Sequence, residues 1–80
     1  MSRYVYMVRC RDNSLYTGYT DDPVRRTAVH NAGKGAKYTR SRLPVTLVYA
    51  EACAEKTEAQ KREWAIKHLT KVQKEALIPK

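Results

Sequence analysis

Two tyrosine-bearing triplets in the first quarter of the chain have the residue types and spacing to serve chemistry. Tyr4-Val5-Tyr6 and Tyr16-Thr17-Gly18 lie in runs rich in aromatic and β-branched residues, a composition typical of strands. A glycine inside a strand often marks a point where another group approaches closely. Gly18 could therefore leave room for a phosphate beside the tyrosines, although aromatic pairs also stabilise hairpins without any chemistry.

Glu63 is the second residue whose position points to chemistry. Thr57-Glu58-Ala59-Gln60 has the capping-box pattern, which predicts a helix from there to about Leu69. The apolar arc of this helix consists of Ala59, Ala65, Ile66 and Leu69. Glu63 lies at the edge of the arc, where a carboxylate needs a partner or a metal. Lys67, four residues on, offers an ordinary ion pair as the alternative.

Positive charge is concentrated between residues 25 and 42. Sixteen Lys and Arg against eight Asp and Glu give a net charge of +8, and such a surface attracts polyanions. Solubility alone could explain the charge, and a membrane surface is another polyanion, but the clustering favours nucleic acid. The residues expected to bind it are Arg25, Lys34, Lys37, Tyr38, Arg40 and Arg42.

The elements that must position these residues can be predicted from turn and cap signals. The turn at Asp12-Asn13-Ser14 separates two strand-like runs and predicts an antiparallel hairpin. Asp22 before Pro23, with Gly33 as the stop, predicts a helix over about 23–32. On it, Val24, Ala28 and Ala32 are expected to face the core, and Arg26 and His30 to form a separate basic face.

The rest of the chain predicts one loop, one strand and a last short helix. Residues 33–44 have the composition of a flexible basic surface loop. Val45 to Ala50 predicts a third strand, internal to the sheet if the hairpin lies to one side of it. Thr70-Lys71-Val72-Gln73 repeats the capping-box pattern and opens the last helix.

Length and composition predict a single domain over residues 1–80. The chain is too short for two cores and too apolar, at 42% hydrophobic residues, for disorder. Cys10 and Cys53 lack zinc-site spacing and are expected to be reduced core thiols. Because no apolar stretch approaches the roughly 20 residues of a membrane helix and no signal-peptide pattern is present, we expect a cytoplasmic protein without a membrane partner.

Taken in order, these motifs resemble the GIY-YIG nuclease family over nearly the whole chain. They run Tyr-Val-Tyr, Tyr-Thr-Gly, an arginine eight residues after the glycine, a histidine four later and a helical glutamate. The runs at 16–20 and 30–39 resemble those of the small stand-alone bacterial members. The triplets depart from the family name, since Tyr4 stands in place of glycine and Thr17 in place of isoleucine.

The resemblance implies both a fold and a reaction. The fold is α+β, with a three-stranded antiparallel sheet flanked by helices. The reaction is hydrolysis of a phosphodiester bond by water with one divalent metal, Mg²⁺ or Mn²⁺. The residues carried over by position are Tyr6 and Tyr16, one of which helps to activate the water, Arg26 on the scissile phosphate, His30 for proton transfer or phosphate binding, and Glu63 on the metal.

Two functions follow from the sequence. The first is a metal-dependent nuclease acting on DNA, selective for a branched, damaged or single-stranded structure in repair or recombination, because no sequence-reading element is visible. The second is a nucleic-acid-binding module that retains the phosphate site without turnover. In either case a protein partner could supply targeting, since many family members attach a separate DNA-binding domain.

Overall fold

A computed structural model describes residues 3–79. Residues 1, 2 and 80 of the expected 1–80 domain lie outside this range. The elements are β1 (Arg3–Arg9), β2 (Leu15–Thr20), α1 (Pro23–Asn31), α2 (Lys37–Arg40), β3 (Thr46–Cys53), α3 (Lys56–Lys67) and α4 (Lys71–Leu77). Both strand pairings are antiparallel. The expected α+β fold, a three-stranded antiparallel sheet with helices, is therefore confirmed.

Strand β1 is the centre of the sheet, whose order is β2-β1-β3. Its residues Val5 to Val8 are all buried, as expected for a strand covered on both faces. The predicted hairpin of β1 and β2 is confirmed. The expectation that β3 is internal was wrong: β3 pairs with β1 alone and reaches Cys53, three residues beyond the predicted end. Its partly exposed side chains suit an edge strand, whereas the continuously apolar β1 requires cover on both faces.

The two faces of the sheet carry separate cores. The core beneath α3 and α4 contains Val5, Met7, Leu15, Cys53, Ala59 and Ile66. The core on the α1 side contains Tyr6, Val8, Cys10 and Val45. Both cysteines are buried free thiols, as predicted. The alternation of β1 side chains thus places Tyr6 opposite the α3 side and against α1.

Helix α1 begins and ends as predicted but presents the opposite face to the sheet. The Asp22 side chain accepts a hydrogen bond from the Arg25 amide and caps the helix. However, Val24 is 73% exposed and His30 is fully buried, and Ala28 and Ala32, also expected in the core, are exposed. The hydrophobic pattern was misleading because the buried face is selected by hydrogen bonds to His30 rather than by apolar area.

The segment 33–44 is partly packed, which corrects the expectation of a flexible surface loop. The segment contains the short helix α2, and its residues Gly35 and Thr39 are buried. The Asn31 side-chain amide donates to the Val45 carbonyl at 2.9 Å and accepts from the Val45 amide at 2.7 Å. This pair of bonds ties the end of α1 to the chain entering β3 and closes the segment between them.

Helix α3 begins one residue before the predicted capping box. Its N-cap is Glu55, which makes no side-chain cap bond, so the expected role of Thr57 as cap was wrong. The box at Thr70 and Gln73 is confirmed with both reciprocal bonds. In the range 3–79 no helix is long and apolar enough to cross a membrane.

Candidate active site

A buried tyrosine and a buried histidine meet between β1 and α1. The Tyr6 hydroxyl lies 2.8 Å from Nε2 of His30, and the two residues are 1% and 0% exposed. Gly18 is the direct cross-strand partner of Tyr6. A Cβ at Gly18 would lie 2.8 Å from the Tyr6 hydroxyl. Glycine is therefore required at this position because any side chain would displace the tyrosine.

The second nitrogen of His30 is also bonded. Nδ1 lies 2.9 Å from Oγ1 of Thr39, which donates to the Ala36 carbonyl at 2.9 Å. A Cβ at Gly35 would lie 2.2 Å from the same Nδ1. The segment once expected to be a loose loop thus encloses the imidazole ring and fixes its orientation.

Tyr16, the tyrosine of the second triplet, contacts the same histidine. Its ring meets His30 edge-on, with centroids 5.4 Å apart, and stacks on Tyr38 at 5.9 Å. Nζ of Lys67 lies 6.0 Å from the centroid of the Tyr16 ring. Tyr16 is only half-buried, whereas Tyr6 is covered. The two tyrosines of the motif therefore flank His30 at different depths.

Arg26 is the cation beside this group. It makes no ion pair with a carboxylate within residues 3–79. Three other arginines are paired at 2.6 to 3.0 Å, in Arg9–Glu75, Arg42–Asp12 and Arg62–Glu51. Arg26 lines a pocket of about 210 Å³ with Thr20, Asp21, Asp22, Arg25 and Val29. A guanidinium without its own carboxylate is suited to a bidentate bond with a phosphate.

The protonation states of the tyrosine and the histidine follow from their surroundings. Burial raises the pKa of Tyr6 above 10, an effect that the nearby Arg26 opposes and the charges of Tyr16 and Glu63 reinforce. Burial and the positive charge of Arg26 lower the pKa of His30 below 6.5. At neutral pH the pair therefore consists of a neutral phenol and a neutral imidazole.

Glu63 lies where the sequence placed it, at the edge of the α3 core. Its side chain is 19% exposed and pairs with Lys67 at 3.2 Å, and its charge reaches Tyr6. Across the described chain no group of three or more His, Cys, Asp or Glu could hold a metal. A zinc centre built from such ligands does not fit. A single carboxylate does fit Mg²⁺, which keeps several waters and uses phosphate oxygens.

The residues expected to bind nucleic acid fall into two groups. Arg25, Lys34, Lys37 and Arg40 are exposed to solvent. Arg42 is partly exposed and is already engaged by other residues, since it pairs with Asp12 at 3.0 Å and covers the Tyr38 ring at 3.9 Å. Tyr38 in turn packs on Tyr16. Arg42 and Tyr38 therefore also contact the candidate site, and Tyr38 is still 39% exposed.

Sequence reasoning missed the residues that hold His30, namely Gly35, Ala36 and Thr39. All three lie in the run at 30–39, which was used in the sequence analysis for its resemblance to the family. The signal that could have found them was the presence of two glycines, Gly33 and Gly35, and of Thr39 within ten residues of the candidate catalytic His30. Hydrogen bonding between such neighbours depends on the path of the backbone, which composition does not define.

Comparisons with known proteins identify the family of this chain and several relatives. A family model described as the GIY-YIG catalytic domain matches residues 2–76. A UPF0213 protein of Staphylococcus haemolyticus is 57% identical over 75 residues, which cover 94% of this chain and 92% of that protein. A UPF0213 protein of Halobacterium salinarum is also 57% identical over 75 residues, with 94% and 97% covered.

Solved structures show the same fold. The solution NMR structure of the UPF0213 protein BH0048 from Bacillus halodurans has 51% identity and a TM-score of 0.61, covering 96% of this chain and 82% of that one. The NMR structure of the protein EF2693 from E. faecalis has 46% identity and a TM-score of 0.64, with 95% and 81% covered. The chain belongs to the family of GIY-YIG catalytic domains.

Proposed function

We propose that the protein is a metal-dependent nuclease that hydrolyses phosphodiester bonds in DNA. The observation that carries the proposal is the buried hydrogen bond between the Tyr6 hydroxyl and Nε2 of His30, 2.8 Å long, beside an arginine without an ion-pair partner in residues 3–79. A phenol, a neutral imidazole and a free guanidinium together can accept a proton and bind an anion. The membership of the chain in a nuclease family supports the same chemistry.

In this proposal Tyr6 is the general base and His30 takes the proton that Tyr6 gives up. Because burial raises the pKa of Tyr6, a tyrosinate does not form in advance. A water O–H bond breaks and its proton goes to the Tyr6 oxygen, while the Tyr6 proton moves to Nε2 of His30. The water oxygen attacks phosphorus, and the leaving oxygen departs with the electron pair of the broken P–O bond. General base catalysis of this kind contributes typically about 10²–10⁴-fold.

Arg26 is assigned to the scissile phosphate. The attacked phosphate gathers negative charge, and a positioned guanidinium stabilises that charge. Tyr16 is half-buried beside His30, where its hydroxyl can bond a phosphate oxygen. Arg26 also lowers the pKa of His30, so the imidazole is neutral before the reaction and its Nε2 is not already protonated by solvent.

Glu63 is the residue that would hold the metal. A divalent cation bound there would offset charge on the phosphate and on the leaving oxygen. In the ligand-free protein the carboxylate is neutralised by Lys67. A cation at Glu63 would compete with Lys67 for the carboxylate, and Lys67, whose Nζ lies 6.0 Å from the centroid of the Tyr16 ring, would be a further positive charge for the phosphate backbone.

The substrate is inferred from the surface around the site. Arg25, Lys34, Lys37 and Arg40 contribute exposed positive charge, which binds phosphates without reading bases. The sequence shows no element of the kind that reads bases, such as a recognition helix or a zinc finger. We therefore propose a preference for DNA structure over sequence, as in flaps, junctions or single strands that arise during repair or recombination.

The test is a cleavage assay on single-stranded, duplex, flap and four-way-junction DNA, with and without Mg²⁺ or Mn²⁺. Wild type should cut at least one substrate only with metal. Arg26→Ala and Glu63→Ala should each lower cleavage by about 10²-fold or more while retaining most of the binding measured by gel shift. Glu55→Ala is the matched control for Glu63, because Glu55 is exposed and makes no side-chain cap bond; it should cut normally.

The outcomes separate nuclease from binding module. Undiminished cleavage by both Arg26→Ala and Glu63→Ala would refute the assigned site. Binding without cleavage on all substrates and with either metal would favour the non-catalytic module. If cleavage then appeared on adding a cellular partner, targeting by that partner would be required for activity.

A further inference from the structure

Thr39 has a hydroxyl whose hydrogen can point in only one direction at a time. Its Oγ1 lies 2.9 Å from the Ala36 carbonyl oxygen and 2.9 Å from Nδ1 of His30. If the hydrogen pointed to Nδ1, two oxygen acceptors would face each other at 2.9 Å with no hydrogen between them. A carbonyl can only accept. The hydroxyl hydrogen therefore goes to Ala36, and Nδ1 must be the donor to Thr39.

The state of the other nitrogen follows from this assignment. A neutral imidazole carries one N–H hydrogen, so with Nδ1 protonated Nε2 presents a lone pair. The atom facing that lone pair is the Tyr6 hydroxyl at 2.8 Å, which must then donate. The hydrogens run in one direction, from Tyr6 to His30, from His30 to Thr39 and from Thr39 to the Ala36 carbonyl.

We infer that Thr39 is a positioning residue that holds His30 in the Nδ1–H tautomer, leaving Nε2 as the acceptor for the Tyr6 proton. The part of this inference that concerns catalysis rests on the proposed function; the tautomer does not. In the opposite tautomer Nε2 would donate to the Tyr6 oxygen, and His30 could not take the Tyr6 proton. Thr39 thereby determines whether Tyr6 can act as a base.

The residues packed around the His30 imidazole hold it to these two hydrogen-bond partners. His30 and Thr39 are both fully buried, so water cannot replace either bond. A Cβ at Gly35 would lie 2.8 Å from Cγ of His30, which shows how closely the backbone packs against the ring. When His30 accepts the Tyr6 proton, both of its nitrogens become donors and Thr39 still accepts from Nδ1. The relay therefore works without rotation of the imidazole.

The test combines a spectroscopic and a kinetic measurement. Nitrogen-15 spectra that correlate ring nitrogens with ring carbon-bound protons distinguish the two tautomers, and His68→Gln assigns the His30 signals. Above the pKa of His30 the wild type should show a protonated Nδ1 and a bare Nε2. Thr39→Val, which removes the hydroxyl at equal volume, should shift the signals toward the other tautomer. Thr39→Ser, which keeps the hydroxyl, should retain the wild-type pattern.

In the cleavage assay Thr39→Val should lower kcat by about 10-fold or more with KM unchanged, and Thr39→Ser should recover most of it. A wild-type His30 protonated on Nε2, or an unchanged tautomer in Thr39→Val, would overturn the inference whatever the activity. Wild type inactive on all substrates but with the expected tautomer would refute the proposed function and leave the positioning of His30 by Thr39 standing. If Thr39→Val failed to fold, the wild-type and Thr39→Ser spectra would still decide the tautomer.

Discussion

The two faces of β1 are joined to their helices by different kinds of contact. On one face Val5 and Met7 pack with Ile66 of α3, and all three are at most 1% exposed and apolar. On the other face Tyr6 and His30 are equally buried but are joined by a directed hydrogen bond. The same strand thus faces an apolar core on one side, and on the other a core that also contains a polar relay.

Because of this difference, one face contributes mainly to the stability of the fold and the other to the positioning of the candidate site. Apolar burial is non-directional and tolerates small shifts of a helix, and it contributes most of the stabilisation of a domain. A buried hydrogen-bonded chain adds little net stability but costs much when one partner is lost. The α3 face therefore stabilises the fold, while the α1 face fixes atoms to the tolerance that proton transfer needs.

Ile66→Ala tests the apolar face and should have the largest effect on stability. Removing this fully buried side chain should lower the free energy of unfolding by about 2–5 kcal/mol, through lost burial and a residual cavity. Urea unfolding followed by circular dichroism measures the change. Val72→Ala on α4, where the side chain is 80% exposed, is the control and should change stability by less than about 0.5 kcal/mol.

If Ile66→Ala and Val72→Ala had the same free energy of unfolding, the assignment of stability to the α3 face would be refuted. A further check comes from the other face. In the folded fraction of Ile66→Ala the tautomer signals of His30 should match those of wild type, since Ile66 belongs to the α3-side core and not to the Tyr6 cluster. Altered signals would show that the two faces are coupled through β1.

Gly35→Ala tests the polar face at its tightest contact and should have an intermediate effect. The new methyl group would lie 2.2 Å from Nδ1 and 2.9 Å from Cα of His30, so the ring or the backbone must move. Overpacking of this kind costs about 1–3 kcal/mol. Because the displaced ring loses its alignment with Tyr6, cleavage should fall more than the loss of folded protein explains.

Gly33→Ala is the matched control for Gly35→Ala, two residues away. A Cβ at Gly33 meets nothing within 4 Å, but the residue has φ +78, so the cost of about 1–2 kcal/mol comes from the backbone alone. The two variants should lose comparable stability, measured by urea unfolding, yet only Gly35→Ala should perturb the His30 ring signals. Equal perturbation by both would mean that the contact with His30 is not specific.

The sequence predicted the elements of the fold more reliably than the contacts around the candidate site. The hairpin, the Asp22 cap, the Thr70 capping box and the buried cysteines follow local rules of turn and burial, and all were confirmed. The apolar pattern of α1 selected the wrong face, because it counts Val24 as core and His30 as surface. A buried histidine is acceptable only when both nitrogens find partners, and those partners come from β1 and α2.

The support of the site was unpredictable for the same reason. Thr39 and Gly35 act through distances to His30 that depend on how residues 33–44 fold back over α1. Arg42 has the side-chain type of a phosphate contact, but its guanidinium already pairs with Asp12, thirty residues earlier in the chain. A charge in a sequence indicates what it could bind, and only the fold determines whether it already has a partner.

The pH dependence of stability gives the smallest expected effect and belongs to the polar face alone. Burial and Arg26 lower the pKa of His30 below 6.5, so the unfolded chain binds a proton more readily than the folded one. Stability therefore rises with pH in this range. The contribution of His30 is fully present above pH 6.5 and is lost as the pH falls below it toward the folded-state pKa.

Comparing wild type with His30→Gln between pH 7.5 and 5.5 isolates this contribution. The carboxylate of Glu75, whose pKa Arg9 lowers from 4.5 to about 2, loses its contribution only below pH 4.5 and leaves this window clear. Urea unfolding should show a fall in stability toward pH 5.5 in wild type and a flatter dependence in His30→Gln. Because the slope is compared rather than the absolute stability, hydrogen bonds lost in the variant do not affect the result. Parallel slopes would mean that His30 takes up its proton as easily in the folded protein as in the unfolded chain, and would contradict the lowering of its pKa by burial and by Arg26.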